Sequence, residues 1–241
     1  MSRASAAPAV PRRERLIAAL DVPTPAEARA LVEKLGDAVG FYKVGLELFT
    51  SGGCFELVEW LAARGRKVFA DLKLYDIPET VRRAVANLRG RGVSFVTVHG
   101  HRSLLEAAVA ARGELKILAV TVLTSFDRRD LEEMGASGDV GRLVLARARA
   151  AAETGCDGVI ASGLEAAALR SEFRNDLLIV TPGIRPAGAR RGDDQKRTVD
   201  VAQAFASGAD YIVVGRPIRE APDPRAAAEA IQQTIAGIFP S

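Results

Sequence analysis

Cysteine and histidine are nearly missing from this chain, with two of each in 241 residues. Cys54 and Cys156 stand about a hundred residues apart with no Cys-x-x-Cys spacing, which excludes a disulfide framework and speaks against a zinc site. Both thiols read as small buried residues. Aromatic residues make up 5% of the chain, with one Trp and three Tyr, so platforms for stacking bases are few. The net charge is only +3, and Lys and Arg are dispersed among acids along the whole length. A basic stripe for nucleic acid is therefore not expected. No apolar run approaches the roughly 20 residues of a membrane span. Residues 1–14 are rich in Ala, Pro, Ser and Arg and lack an apolar core, so they read as a disordered tail and not as a secretory signal. A cytoplasmic protein is the expectation. Absent too is a Gly-x-Gly-x-x-Gly turn after the first apolar run, where Asp21-Val22-Pro23 stands instead. That disfavours an open, doubly wound nucleotide-binding sheet.

What the chain does contain is alternation. Short apolar runs occur at 16–22, 41–46, 67–72, 95–98, 117–123, 158–161, 177–180 and 211–214. Between them lie Ala/Leu/Glu/Arg-rich segments at 25–35, 56–64, 79–89, 104–111, 141–153, 164–170, 199–206 and 224–235. Such segments read as amphipathic helices, and Thr24-Pro25 and Asp223-Pro224 are starting signals. Gly155-Cys156-Asp157 and Gly208-Ala209-Asp210 each precede a run, as expected where a helix ends on glycine. Eight strand–helix units predict a single-domain α/β fold, a (β/α)₈ TIM barrel over 15–241. The continuously apolar strands agree with a sheet covered on both faces.

In such barrels, chemistry gathers where the strands finish. The residues at those positions are Asp21, Lys43, Asp71 with Lys73, His99, Thr124 with Ser125, Ser162, Arg185, and Gly215 with Arg216. His99 reads as structural. The most informative stretch is Asp71-Leu72-Lys73-Leu74-Tyr75-Asp76-Ile77-Pro78-Glu79-Thr80. Asp71 and Lys73 lie two apart on a strand and so share a face, and Ile77-Pro78 should have ended that strand before it. With Lys43 and Asp76 they form a set of four alternating charges that sums to zero. Contacts of this kind are worth roughly 4 kcal/mol each at 4 Å and an effective dielectric near 20. Charge clusters held this closely mark functional sites.

Two chemical abilities follow. Gly215-Arg216 after the eighth strand offers backbone approach and a forked cation to a phosphate, and Arg185 opens a long polar loop that carries Gln195 and reads as a lid. A lysine flanked by carboxylates keeps its proton, so Lys73 suits protonation of a carbanion better than formation of an imine.

These residues carry a resemblance. Ala19-Leu20-Asp21-Val22, Lys43-Val44-Gly45, the decapeptide from Asp71 to Thr80, Leu123-Thr124-Ser125, Thr181-Pro182-Gly183-Ile184-Arg185 and Gly215-Arg216-Pro217-Ile218 together resemble the bacterial orotidine 5′-phosphate decarboxylases, from about Leu16 onward. The resemblance implies conversion of orotidine 5′-monophosphate to uridine 5′-monophosphate and CO₂ in pyrimidine biosynthesis, without cofactor or metal. By position, Lys73 would protonate C6, Asp71 would face the departing carboxylate, and Asp21 and Lys43 would hold ribose hydroxyls. Thr124 and Ser125 would meet the pyrimidine, and Arg185, Gln195, Gly215 and Arg216 the phosphate. Asp76 and Thr80, with Ile77 and Pro78 between them, would serve the partner's site in a homodimer with shared active sites.

A sister enzyme on the same barrel is the alternative, either a hexulose-6-phosphate synthase or a 3-keto-gulonate-6-phosphate decarboxylase, both Mg²⁺-dependent. Such enzymes resemble the same Asp-x-Lys-x-x-Asp strand but tend to carry an acid where Lys43 stands. Lys43, Pro78 and Thr80 favour the nucleotide enzyme. A regulatory barrel without activity would be expected to lack one of Asp71, Lys73 or Asp76.

Overall fold

The alternating runs become eight parallel strands, each followed by helix, in a computed structural model that describes residues 10–133, 135, 139–185 and 198–240. In chain order these are β1 (Leu16–Ala19), α1 (Pro25–Leu35), β2 (Phe41–Gly45), α2 (Leu46–Thr50), α3 (Cys54–Ala62), β3 (Lys67–Leu74), α4 (Pro78–Leu88), β4 (Val93–His99), α5 (Arg102–Ala111) and β5 (Lys116–Val120). The second half comprises α6 (Arg128–Glu133), α7 (Val140–Thr154), β6 (Gly158–Ile160), α8 (Ala166–Phe173), β7 (Leu178–Thr181), α9 (Val201–Ala206), β8 (Tyr211–Val214), α10 (Arg216–Arg219) and α11 (Pro224–Ile238). Each strand pairs with the next, and β1 pairs with β8 through Ile17 opposite Val213, which closes the barrel.

The helices start and stop for identifiable reasons. Thr24 caps α1 by accepting from the Glu27 N–H, with Pro25 in the first turn, and Asp223 and Asp200 cap α11 and α9 in the same way. Gly155 ends α7 in the left-handed conformation, its N–H reaching Ala151 and Ala152. In α1 the buried residues are Ala28, Leu31, Val32 and Leu35, and in α3 they are Cys54, Leu57, Val58 and Leu61. That spacing of three and four lays one stripe against the sheet. Burial pushes both thiols up to about 11, so they stay protonated in the core.

Inside the barrel the scarce aromatics are concentrated. Phe41, Phe95 and Tyr211 meet edge-to-face at centroid distances of 5.0, 6.0 and 5.3 Å, and Phe69 joins Phe95 at 6.1 Å. Together with aliphatic residues such as Ile17, Leu118 and Val180 they fill the interior and form a dry floor below the strand ends.

At the opposite rim, the two Gly-x-Asp segments act as paired fasteners. Asp157 Oδ2 accepts from the Ile117 N–H at 2.9 Å and from Arg112 at 3.0 Å. Asp210 Oδ2 accepts from the Ile179 N–H at 2.8 Å and from Arg170 at 2.6 Å. Each carboxylate therefore satisfies a strand donor that has no ladder partner at the barrel's edge.

Several boundaries differ from the sequence reading. The packed chain begins before residue 15, because Arg12–Glu14 form a 3₁₀ turn in which Glu14 pairs with Lys67 at 2.6 Å. Residues 1–9 lie outside the described residues. The short helices α2, α6 and α10 are additions that the apolar periodicity did not predict. Among the described residues no helix is long and apolar enough to cross a membrane.

Asp210→Ala should lower the unfolding free energy by about 1.5–3 kcal/mol, the worth of hydrogen bonds to a charged group. Asp210→Asn keeps an acceptor for Ile179 and should lose roughly half as much. Urea midpoints of the three proteins check this, and equal losses in both variants would remove the distinction.

Candidate active site

The strand ends bring two acids and two amines into one chain. Lys43 projects inward from β2 between the outward-packed Tyr42 and Val44. Its Nζ lies 2.8 Å from Asp21 Oδ1 and 3.7 Å from Asp71 Oδ2. Lys73 Nζ meets the same Asp71 oxygen at 2.8 Å. The order Asp21–Lys43–Asp71–Lys73 is thus continuous. Side-chain exposure is 12% at Lys43 and 14% at Asp71 but 34% at Lys73 and 42% at Asp21, so the chain is buried at its middle and opens toward solvent at both ends.

Burial works against charge on both central members, yet their partners win. Desolvation alone would raise the Asp71 pKa, but Lys43 and Lys73, with hydrogen bonds from Lys73 and Thr97, hold it below the ordinary carboxylate value. Desolvation would likewise lower that of Lys43, but Asp71 and Asp21 hold it above the ordinary lysine value. Gly45 leaves room for this pairing: a Cβ there would stand 3.2 Å from Lys43 Nζ.

The backbone that presents Asp71 and Lys73 is irregular. Against β4, Ala70 is opposite Val96 but Leu74 is opposite Val98, so three residues of β3 bulge over one of β4. Lys73 sits at φ 47°, one of two non-glycine residues with positive φ among those described. Such strain costs of order 1–3 kcal/mol and clusters at functional sites. The shared face expected from strand alternation is therefore reached through a distorted backbone. Thr97, the residue opposite the bulge, donates from Oγ1 to Asp71 Oδ1 at 2.9 Å and accepts from the Lys73 N–H at 2.9 Å.

A cavity of about 230 Å³ lies over this chain. Phe69, Val120, Ile160 and Val213 line its apolar side. Among its described lining residues, Lys43, Lys73, Arg185 and Arg216 face only Asp21 and Asp71, an excess of positive charge suited to an anion. Arg185 and Arg216 mark the β7–β8 side. The Arg185 N–H donates to Val199 O at 2.9 Å across the Ile184–Val199 bridge, which fixes the arginine's backbone at the rim. Burial lowers the Arg185 pKa against the opposing pull of Glu220. On α10, Arg219 donates to the Asp21 backbone carbonyl and so links the turn after β8 to the first member of the charged chain.

Of the residues expected from sequence, Asp21, Lys43, Asp71, Lys73, Thr124, Arg185, Gly215 and Arg216 line the cavity. Ser125 is half-buried and stands off its wall. Gln195 lies outside the described residues. The four-member charge set needs correction: within one chain Asp76 does not join Lys43, Asp71 and Lys73. It is exposed, and its Oδ1 accepts from the Ile77 N–H at 2.6 Å, because the chain turns outward after Leu74 to start α4. Asp76, Ile77 and Pro78 line a separate surface hollow with Tyr75 and His101, and Thr80 is exposed on the same helix. His99 packs against Tyr75 at 4.8 Å instead of lining the main cavity. Thr97 was missed. Its signal was faint: alternation from Phe95 points it inward, a lone hydroxyl between Val96 and Val98.

Comparisons with known proteins agree with one another. Residues 14–231 match the family model described as "Orotidine 5′-phosphate decarboxylase / HUMPS family". The chain is 60% identical over 230 residues to the orotidine 5′-phosphate decarboxylase of Methylococcus capsulatus, covering 95% of each. It is 56% identical to that of Rhodopseudomonas palustris strain BisB5, covering 93% of this chain and 95% of the relative. Among solved structures, the orotidine 5′-phosphate decarboxylase from Lactobacillus acidophilus superposes with a TM-score of 0.81 at 37% identity, covering 92% of this chain and 99% of that one.

The pairing has a pH window. Asp71, its pKa depressed by folding, stabilises the fold above its unfolded value of about 3.9, and this is lost as pH falls through the folded value. Lys43, its pKa raised, stabilises below about 10.4, and this is lost as pH rises through its folded value. Asp71→Asn should therefore cost about 3 kcal/mol between roughly pH 5 and pH 9, the size seen when one partner of a buried pair is removed. Urea unfolding across pH should show the gap narrowing below about pH 4. A gap independent of pH would contradict the ionised pairing.

Proposed function

The chain belongs to the orotidine 5′-phosphate decarboxylase / HUMPS family, and we propose from that premise how its barrel mouth carries out the reaction. It is a carboxy-lyase that converts orotidine 5′-monophosphate to uridine 5′-monophosphate and CO₂, a step of pyrimidine biosynthesis. The observation that supports the mechanism is the chain Asp21–Lys43–Asp71–Lys73 over an apolar floor, with Arg185 and Arg216 across the cavity.

The phosphate sits against Arg185 and Arg216, where Gly215 allows close backbone approach. Asp21 and Lys43 hold the ribose hydroxyls. Thr124 and Ser125 address the pyrimidine edge. This pose sets the substrate carboxylate beside Asp71 and C6 beside Lys73 Nζ. The C6–carboxylate bond breaks, CO₂ departs, and the electron pair stays on C6. The Lys73 ammonium gives C6 its proton and is left as a neutral amine, which solvent recharges. Lys43 and Asp71 are already paired and desolvated before substrate arrives, so little reorganisation accompanies the step. Binding energy from the distant phosphate serves to seat the reacting ring against charges it would otherwise avoid.

We further propose a homodimer working in the cytoplasm. Tyr75 and Ile77 are 64% and 67% exposed beside Asp76, so an apolar face and a carboxylate point away from their own cavity. A second copy covering that face would receive Asp76 and Thr80 at its ribose subsite.

Ultraviolet assay of orotidine 5′-monophosphate loss should show turnover that survives EDTA, and Lys73→Ala should lower it by at least about 10³-fold with its circular dichroism unchanged. Abolition by EDTA would instead favour the Mg²⁺-dependent sister chemistry. Mixing the inactive Lys73→Ala and Asp76→Ala proteins should restore about a quarter of native activity, because hybrid dimers hold one intact shared site. No recovery after subunit exchange would argue against sharing.

A further inference from the structure

The buried hydroxyl of Thr97 is not used by the reaction as described, although it touches both residues at the reacting end of the charged chain. Thr97 is 0% exposed and does not line the cavity, so its route to the reaction runs through its neighbours. Its hydrogen bonds have a forced direction. The Lys73 N–H can only donate, so Thr97 Oγ1 accepts from it at 2.9 Å. The hydroxyl proton is then left for Asp71, whose Oδ1 receives it at 2.9 Å. With Oδ1 occupied in this way, Oδ2 is the oxygen turned to Lys73 at 2.8 Å and Lys43 at 3.7 Å. The position along the strand is equally specific. Residues 71–73 bulge opposite Thr97, and the Lys73 N–H, taken out of the ladder by φ 47°, finds the hydroxyl.

We propose that Thr97 is a positioning residue for the decarboxylation: one hydroxyl holds the β3 bulge in its left-handed form and rotates the Asp71 carboxylate, so that the Lys73 ammonium is aimed at the reacting carbon. This rests on the reaction assigned above and adds to it a residue outside the substrate cavity. Val is nearly isosteric with Thr but has neither donor nor acceptor. Ser keeps both and lacks only the methyl group. The two substitutions therefore separate hydrogen bonding from packing.

The experiment compares native protein, Thr97→Val and Thr97→Ser in steady-state assays, with circular dichroism and calorimetric binding of uridine 5′-monophosphate to establish that each is folded. For Thr97→Val, kcat should fall at least about tenfold while KM and product affinity stay within about threefold, since the lost contact matters at the chemical step. Exchange of the product's C6 hydrogen with D₂O, followed by NMR, should fall in parallel because it reports proton transfer at Lys73 alone. Thr97→Ser should keep kcat within about threefold of native. The proposal is overturned if folded Thr97→Val keeps native kcat, if KM alone rises, or if Thr97→Ser loses as much as Thr97→Val. Should Thr97→Val not be recovered folded, Thr97→Ala, which also lacks the hydroxyl, takes its place: a loss of kcat of about tenfold that Thr97→Ser does not share upholds the hydroxyl's role, and native kcat in folded Thr97→Ala ends it. A native protein without turnover would sink the assigned reaction itself, whereas native turnover with an indifferent Thr97→Val sinks only this inference.

Discussion

A carboxylate buried between two ammonium groups is the constraint from which the rest of this barrel follows. Asp71 has too little solvent to stay ionised by itself, and Lys43 has less. Each is kept charged by the other and by the groups beyond, Asp21 on one side and Lys73 on the other. Removing water from such a set raises the strength of every contact and also the penalty for any that is missing. The surrounding architecture supplies a rigid setting for it. Packed aromatics lie below, Gly45 gives clearance beside the first lysine, and Thr97 donates to the Asp71 oxygen that the lysines leave.

The two rims of the barrel divide the work. At the strand starts, Asp157 and Asp210 satisfy strand donors and bind arginines, a use of charge that fastens helices to the sheet. At the strand ends the same residue types are spent on a strained, open arrangement around a cavity. Charge alone does not tell these roles apart, because both rims hold Asp paired with a cation. What differs is the geometry: at the strand ends two lysines share one Asp71 oxygen beside a bulge in β3, whereas each strand-start aspartate pairs with a single arginine.

Much of this was legible in the chain. Continuous apolar runs separated by helix-forming segments called for a parallel sheet covered on both faces, eight units and the missing Gly-x-Gly-x-x-Gly turn favoured its closure, and the polar residues just after those runs marked the mouth. Lys43, Asp71 and Lys73 were found because they stand at strand ends and alternation put Asp71 and Lys73 on one face, although the bulge and the positive φ of Lys73 produce that face by another route. Asp76 was misplaced within the single chain because three residues of sequence separation give no direction once a strand has ended, and the turn at Tyr75 sends it outward. Thr97 was overlooked because a threonine in a strand ordinarily needs no explanation. Its importance depends on a bulge in the neighbouring strand, and register irregularities leave no mark in local periodicity. The short helices α2, α6 and α10 escaped for a related reason, being too brief to show a face.

One turn of helix after the eighth strand carries both Arg216, which lines the cavity, and Arg219, which grips the Asp21 carbonyl. The anion-facing arginine and the hold on the first acid thus share a single short lever. Because both arginines sit on one turn of backbone, a cation at the cavity wall and a contact to the charged chain are held in a fixed relation to each other.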